Sequence, residues 1–235
     1  MIGYVINLKK DKQRWEDMQK EFKGSSIKVK RFDAIKDSVG AYGLMKSFIG
    51  ILKLARKNKL KNVLILEDDC KLTPNWESNW SKITKWLDEN PEKWDIYSGS
   101  GWNVILPTIV GEIDNEIALF NPLISWSANY IYIPQRNYNR IIKHFDSIVE
   151  YIKYPLLHYI FVLDNIINFS YKTLISYPFI AYQKDTYKSN IDQGILTKKF
   201  KTSIFIKEEK RLKQIYSTYK KKNPDRNKTI KHKKN

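Results

Sequence analysis

Val63-Leu64-Ile65-Leu66-Glu67-Asp68-Asp69 is a short aliphatic run that ends abruptly in three carboxylates. An aliphatic run of this length, without Gly or Pro, suits a strand buried on both faces of a mainly parallel sheet. The acids then stand at its C-terminal mouth, the edge of an open α/β sheet where ligands bind. Closely spaced carboxylates at such an edge can hold a hard divalent cation, whose shell is completed by water and substrate phosphates. Glu67 and Asp69, one residue apart, can approach a cation from the same side of the bend, with Asp68 turned to a ribose or a supporting partner. The competing reading of the tripeptide is a solvated turn that also caps the next helix.

Working outward, Gly3 to Leu8 reads as a strand, followed by Asp11 as N-cap and a helix with Trp15, Met18 and Phe22 on one face, ended by Gly24. Ile27 to Ile35 supplies a second strand. Leu44, Phe48, Ile51, Leu52 and Ala55 form one apolar stripe of a helix from about Leu44 to Asn58. After the acidic run, Thr73 and Pro74 read as the N-cap and first residue of a helix that buries Trp76, Trp80, Ile83 and Leu87. Trp94 to Ser98 is another short strand, leading into Gly99-Ser100-Gly101. Strands separated by helical stretches imply βαβ units. The first 100 residues therefore read as half of a doubly wound nucleotide-binding fold.

The pattern weakens between Trp102 and Asn121, where Gly111 and Asp114-Asn115 mark turns and Ile117 to Phe120 a short strand. Ser127 to Pro134 is a firmer strand, followed by helices at about Gln135 to Phe145 and Leu156 to Phe169 and a last strand at Lys172 to Ser176. Pro178 to Gln183 is extended. A basic helix from Lys207 to Tyr219, with Leu212, Ile215, Tyr216 and Tyr219 on one side, can pack on the body, and the composition beyond Lys220 favours disorder.

The 235 residues fit one large domain plus an appendage, divided here as residues 1–197 and 198–235. One cysteine, Cys70, excludes an intramolecular disulfide framework and a cysteine-rich zinc site. No signal peptide and no run long enough for a membrane helix are read, so the expectation is a soluble, cytoplasmic protein. The net charge of +17 is uneven: from Lys198 onward 15 Lys or Arg face 3 Asp or Glu, about +12, which leaves about +5 for the rest.

Tyr4-Val5-Ile6-Asn7-Leu8 with Arg14-Trp15, Arg31-Phe32-Asp33-Ala34-Ile35, Gly43 with Ser47, and Leu64-Ile65-Leu66-Glu67-Asp68-Asp69 together resemble glycosyltransferase family 25. This is the group of lipooligosaccharide and procollagen galactosyltransferases. The resemblance continues more faintly through Trp94-Asp95-Ile96 and Pro178 to Gln183. It implies a single-domain α/β fold of GT-A type, a UDP-hexose donor (galactose or glucose) and a divalent metal, manganese or magnesium, held by Glu67 and Asp69. The chain departs from the family at Phe48, where a histidine is usual, and at Asn190, where an aspartate is usual. A Pro-x-Asp expected near the acceptor side has no clean match.

In such an enzyme Asn7 and Leu8 end the first strand, and Asp33 and Ala34 the second, where a nucleotide base or ribose lies. Arg14 and Lys46 can meet phosphate oxygens, although an exposed surface position is the usual state of each. Asp68 completes the donor side and is counted with Asp164 as a catalytic candidate. The candidate catalytic base is Asp164, a carboxylate inside the apolar Val162-Leu163-Asp164-Asn165-Ile166, where an unpaired charge is costly. Asp185 and Asp192 are alternatives, and His158 is either a metal ligand or a core histidine. Trp102 and Trp126 are candidate sugar-stacking residues.

Other classes remain open at this point: a nucleotide-sugar-binding pseudoenzyme, or a nucleic-acid-binding protein acting through its basic tail, whose charge suits an anionic membrane surface equally. The leading partners are a nucleotide-sugar donor and a glycan or protein acceptor.

Overall fold

The computed structural model describes residues 1–154, 163–185 and 202–224. The chain runs β1 (Ile2–Asn7), α1 (Lys12–Glu21), β2 (Lys28–Asp33), α2 (Gly40–Lys57), β3 (Asn62–Glu67), β4 (Cys70–Leu72) and α3 (Trp76–Glu89). It continues through β5 (Ile96–Ser98), β6 (Trp102–Ile105), β7 (Thr108–Ile113), β8 (Ile117–Asn121), β9 (Ile124–Trp126), β10 (Tyr130–Pro134) and α4 (Tyr138–Ile148). The last elements are α5 (Leu163–Ser170), β11 (Thr173–Tyr177), β12 (Ala181–Gln183) and α6 (Thr202–Lys222).

Eight strands form one sheet in the order β2-β1-β3-β10-β5-β11-β8-β7. Following the pair orientations across it, six strands point one way and only β10 and β8 run against them. The sheet is thus mainly parallel in direction, with helices on both faces, as the sequence predicts.

Period-two alternation sorts the side chains between the two layers. Tyr4, Ile6, Val63, Ile65, Ile131 and Ile133 pack with α2, α4 and α5. Val5, Leu64, Leu66, Tyr130 and Tyr132 face the other way, onto α1 and α3. Full burial of each such side chain contributes about 1.5–3 kcal/mol, so slipping β3 by one residue forfeits its contacts on both layers at once.

Some boundaries differ from expectation. The second helix starts at Gly40, four residues early, because Asp37 Oδ1 accepts the Val39 N–H and anchors its first turn. The expected Thr73-Pro74 helix start is displaced to Asn75-Trp76. Thr73 is used instead by the distant chain, its hydroxyl donating to the carbonyls of Phe179 and Ile180. The weak region after Trp102 holds β6 to β9, with the Asp114-Asn115 turn, both residues at positive φ, joining β7 to β8. Phe48, at the usual histidine position, is core packing against Phe145 at 5.7 Å between ring centroids. The basic helix forms and lies on the far end of the sheet with Phe205, Leu212 and Tyr216 buried.

Ile160, Ser189, Asn190, Ile191, the alternative base Asp192, His158 and the chain from 225 onward lie outside the described residues. Among those described, no helix is long and apolar enough to cross a membrane.

Candidate functional site

Parallel pairing puts the ends of the first three strands at one edge: Asn7 stands opposite Asp33, and Ile6 opposite Glu67. A crevice opens there, lined by Leu8, Arg14, Ala34, Lys36 and the three acids Glu67, Asp68 and Asp69, among others. Its floor depends on Gly43. A Cβ at that position would sit 2.4 Å from the Ile35 carbonyl oxygen, so glycine is what lets α2 approach the β2 loop. Ser47 fastens the same contact, donating to the Gly43 carbonyl while accepting the Ile35 N–H.

The three acids have different surroundings. Asp68 is 6% exposed, and each of its oxygens already accepts a bond, one from Arg14 at 2.6 Å and one from Asn7 at 2.7 Å. Burial still holds its pKa above the ordinary aspartate value, against the opposing effect of Arg14. Asp69 is 4% exposed; Gln183 Nε2 donates to Oδ2 at 2.9 Å, and Oδ1 is buried with no hydrogen-bond partner. Burial pushes its pKa up to about 6. Glu67 is raised well above the ordinary glutamate value by burial, then by the charges of Asp69, Asp164 and Asp68.

That influence places Asp164 of α5 beside the same cluster. Its Oδ1 is buried without a hydrogen-bond partner, and burial pushes its pKa to about 7 against the opposing influence of the Ser127 backbone N–H. Next to it Asn165 accepts the indole N–H of Trp126 at 3.1 Å, and Trp126 meets Trp102 edge-on at 4.7 Å. Ser100 and Asn129, both buried, form a hydroxyl and amide cluster alongside with the half-buried Ser127, tied to the site where the Asn129 backbone carbonyl accepts the Glu67 N–H.

The structure therefore brings together Asn7, Leu8, Arg14, Ala34, Glu67, Asp68, Asp69 and Asp164. The solvated-turn reading is corrected for Asp68 and Asp69, which are buried while Glu67 is half-buried, and so is the surface position expected for Arg14, which is 8% exposed. Asp33 and Lys46 stand aside. Asp33 is exposed and faces Arg31 at 3.3 Å, and the Lys46 ammonium lies over the Tyr42 ring at 5.8 Å; neither lines the crevice. Asp185, an alternative base, accepts the Thr202 N–H at the start of α6. Sequence reasoning missed the roles of Lys36, Gln183 and the serine-asparagine cluster. Gln183 meets Asp69 from 114 positions away, beyond the reach of any local pattern.

The residues fit a divalent cation. Three consecutive acids end the strand, Asp164 is near enough for its charge to raise Glu67, Arg14 opposes these charges, and a buried Asp69 oxygen has no donor. Among the described residues no three His, Cys, Asp or Glu side chains form a ready-made metal cage. A cation at Glu67 and Asp69 would therefore draw the rest of its shell from phosphate and water.

Residues 1–46 match the model of glycosyltransferase family 25 (LPS biosynthesis protein). The family 25 match covers β1, α1, β2 and the first turns of α2, hence Asn7, Leu8, Arg14, Asp33, Ala34 and Lys46, and it ends before the acidic run. The expected resemblance to a glycosyltransferase holds over that segment. No curated protein matches the chain. Among solved structures the chain is similar to a glycosyltransferase involved in the glycosylation of the major capsid of PBCV-1, at 10% identity over 74% of this chain and 79% of that one, TM-score 0.43. It is also similar to mannose-1-phosphate geranyltransferase from Thermus thermophilus, at 8% identity over 73% of this chain and 57% of that one, TM-score 0.34.

Proposed function

We propose that this chain is a metal-dependent glycosyltransferase with a GT-A arrangement, moving a hexose from a UDP-sugar to a hydroxyl of a glycan or protein. The observation that carries the reading is the crowd of buried carboxyl groups at the C-terminal end of β3, with the Asp69 Oδ1 left without a partner. Glu67 and Asp69 would hold a divalent cation, manganese or magnesium, which supplies Lewis-acid neutralisation of the departing diphosphate. Arg14 and Lys36 line the same crevice and add positive charge toward phosphate oxygens. Leu8 and Ala34 offer an apolar and backbone surface to the nucleoside.

Asp68 does its work through its neighbours. By engaging Asn7 and Arg14 it ties the end of β1 and the first turn of α1 to the acidic run. Asp164 is the base for the acceptor hydroxyl. A carboxyl group with its pKa near 7 is ionised to a substantial extent at neutral pH yet strong enough as a base to take a proton as the hydroxyl attacks. The Trp126 and Trp102 faces beside it offer the acceptor sugar a stacking surface.

Titration calorimetry of UDP with manganese tests the reading. Binding by the unaltered chain is expected to disappear in Asp69→Asn and to weaken strongly in Glu67→Gln. Undiminished binding in both variants would sink it.

A further inference from the structure

β12 grips Asp69 at two points. Gln183 holds its Oδ2, and the Lys184 N–H donates to its backbone carbonyl at 2.7 Å. The strand itself is three residues long and pairs with the equally short β4, Gln183 lying opposite Cys70. A two-stranded ladder of this length has little stability of its own. The Gly99 carbonyl accepts the Ile180 and Ala181 N–H groups on its inner side, and α6 supports it from the other.

The Glu209 carboxylate accepts the Phe179 N–H at 2.7 Å with one oxygen and the Tyr182 hydroxyl with the other. Thr202 Oγ1 donates to the Gln183 carbonyl at 2.8 Å, and Phe205, fully buried, packs 6.3 Å from the Tyr182 ring. The helix is anchored in turn at the far end of the sheet. Arg211 donates to the Val104 carbonyl, the Tyr216 hydroxyl to Glu112, and Lys220 to the Asn115 carbonyl at 3.2 Å.

We infer that α6 is a brace that sets the orientation of the Asp69 carboxyl group, acting through Glu209, β12 and Gln183. Gln183 and Glu209 are thus positioning residues. An amide suits this role because it fixes one carboxylate oxygen, leaves the other aimed at its ligand, and brings no charge that would compete with a cation, as a lysine would. The cation and diphosphate rest on the function proposed above, whereas the mechanical link rests on the contacts alone.

Two measurements separate these. By calorimetry with manganese and UDP, Gln183→Ala is expected to weaken cation-dependent binding about 10–100-fold, the usual effect of removing a partner that orients a metal ligand. Gln183→Glu, similar in size but facing Asp69 with a second carboxylate, is expected to be no better. Glu209→Ala should weaken binding too, and the double variant should bind no worse than Gln183→Ala alone, because one residue acts through the other. Independent, additive losses would overturn the brace.

Hydrogen exchange gives the second readout, without ligand. In Glu209→Ala the amides of Ala181 and Lys184 should lose protection while those of the β1–β3 ladder keep theirs. Should Glu209→Ala fold poorly, Tyr182→Phe, which removes one hydroxyl, is expected to produce the same local loss in smaller degree. Unchanged protection at Ala181 and Lys184 overturns the brace whatever the ligands do. Failure of the unaltered chain to bind manganese and UDP would instead remove the function proposed above and leave exchange to decide the brace.

Discussion

The crevice has two walls of unlike character. One is made by the ends of β1, β2 and β3 with the start of α1, and its central carboxylate, Asp68, has both oxygens engaged by Asn7 and Arg14. The other begins at Asp69, backed by β12 through Gln183, with Asp164 of α5 near enough for its charge to act on Glu67, and there Asp69 and Asp164 each keep a buried oxygen without a hydrogen-bond partner. Buried polar groups left unmatched cost stability. The carboxylate of the first wall is thus settled as structure, although Asn7 Oδ1 beside it is unmatched, and the second wall holds the carboxylate oxygens that a ligand or a reacting proton would satisfy.

Substitution should expose that difference. Asp164→Asn is expected to lower the turnover of sugar transfer by about 10²–10⁴-fold, the usual worth of a general base, while donor binding persists. Because the amide cannot ionise, the same change should raise stability at pH 8. A variant that transfers sugar normally would remove Asp164 from the mechanism. On the opposite wall, Arg14→Ala leaves Asp68 buried beside Asn7 alone. A loss of about 3–5 kcal/mol of folding stability is expected from breaking a buried pair in this way, readable as a lowered urea midpoint. Near-normal stability in this variant would erase the contrast between the walls.

The remaining contrast is in pH dependence. Asp69 and Asp164 have folded-state values raised to about 6 and about 7 by burial. Carboxyl groups raised in this direction contribute stability that is fully present below their unfolded values near 4 and is lost as pH rises through the folded ones, about 1.4 kcal/mol for each pH unit separating the two values. With chelator present, the urea midpoint should therefore fall between pH 5 and pH 8. Asp164→Asn should flatten the upper part of that fall, and manganese should restore stability at pH 8. A midpoint that rises with pH would contradict the burial argument.

The settled wall is also the legible one. Val63 to Glu67 gives itself away by composition, and the apolar run of Gly3 to Leu8 marks its neighbour; both strands stand within a residue or two of their expected bounds. The stripe of α2 is equally plain, and its early start at Gly40 follows from a loop contact at Asp37 that periodicity does not register. Composition alone assigns Arg14 to the surface, where arginine usually lies. Its burial follows from a carboxylate 54 positions away. The open wall had little local signal. β6 and β9 are four and three residues long, too short for a pattern to show. Thr73, whose composition reads as a helix cap, is taken by a partner more than a hundred positions on. Asp164 could be singled out only as a charge in an apolar run, and the carboxyl cluster it joins becomes visible only in the folded chain.

The bond between Gln183 and Asp69 has a consequence for the chain as it is made. The strand carrying the acidic run leaves the ribosome well before its amide partner, which lies 114 positions further along the chain. At about 5–20 residues per second that interval is on the order of ten seconds. A nascent chain can close its sheet around β3 and engage Asp68 with Asn7 and Arg14 during that time, yet Asp69 must wait for Gln183 before it is held in place.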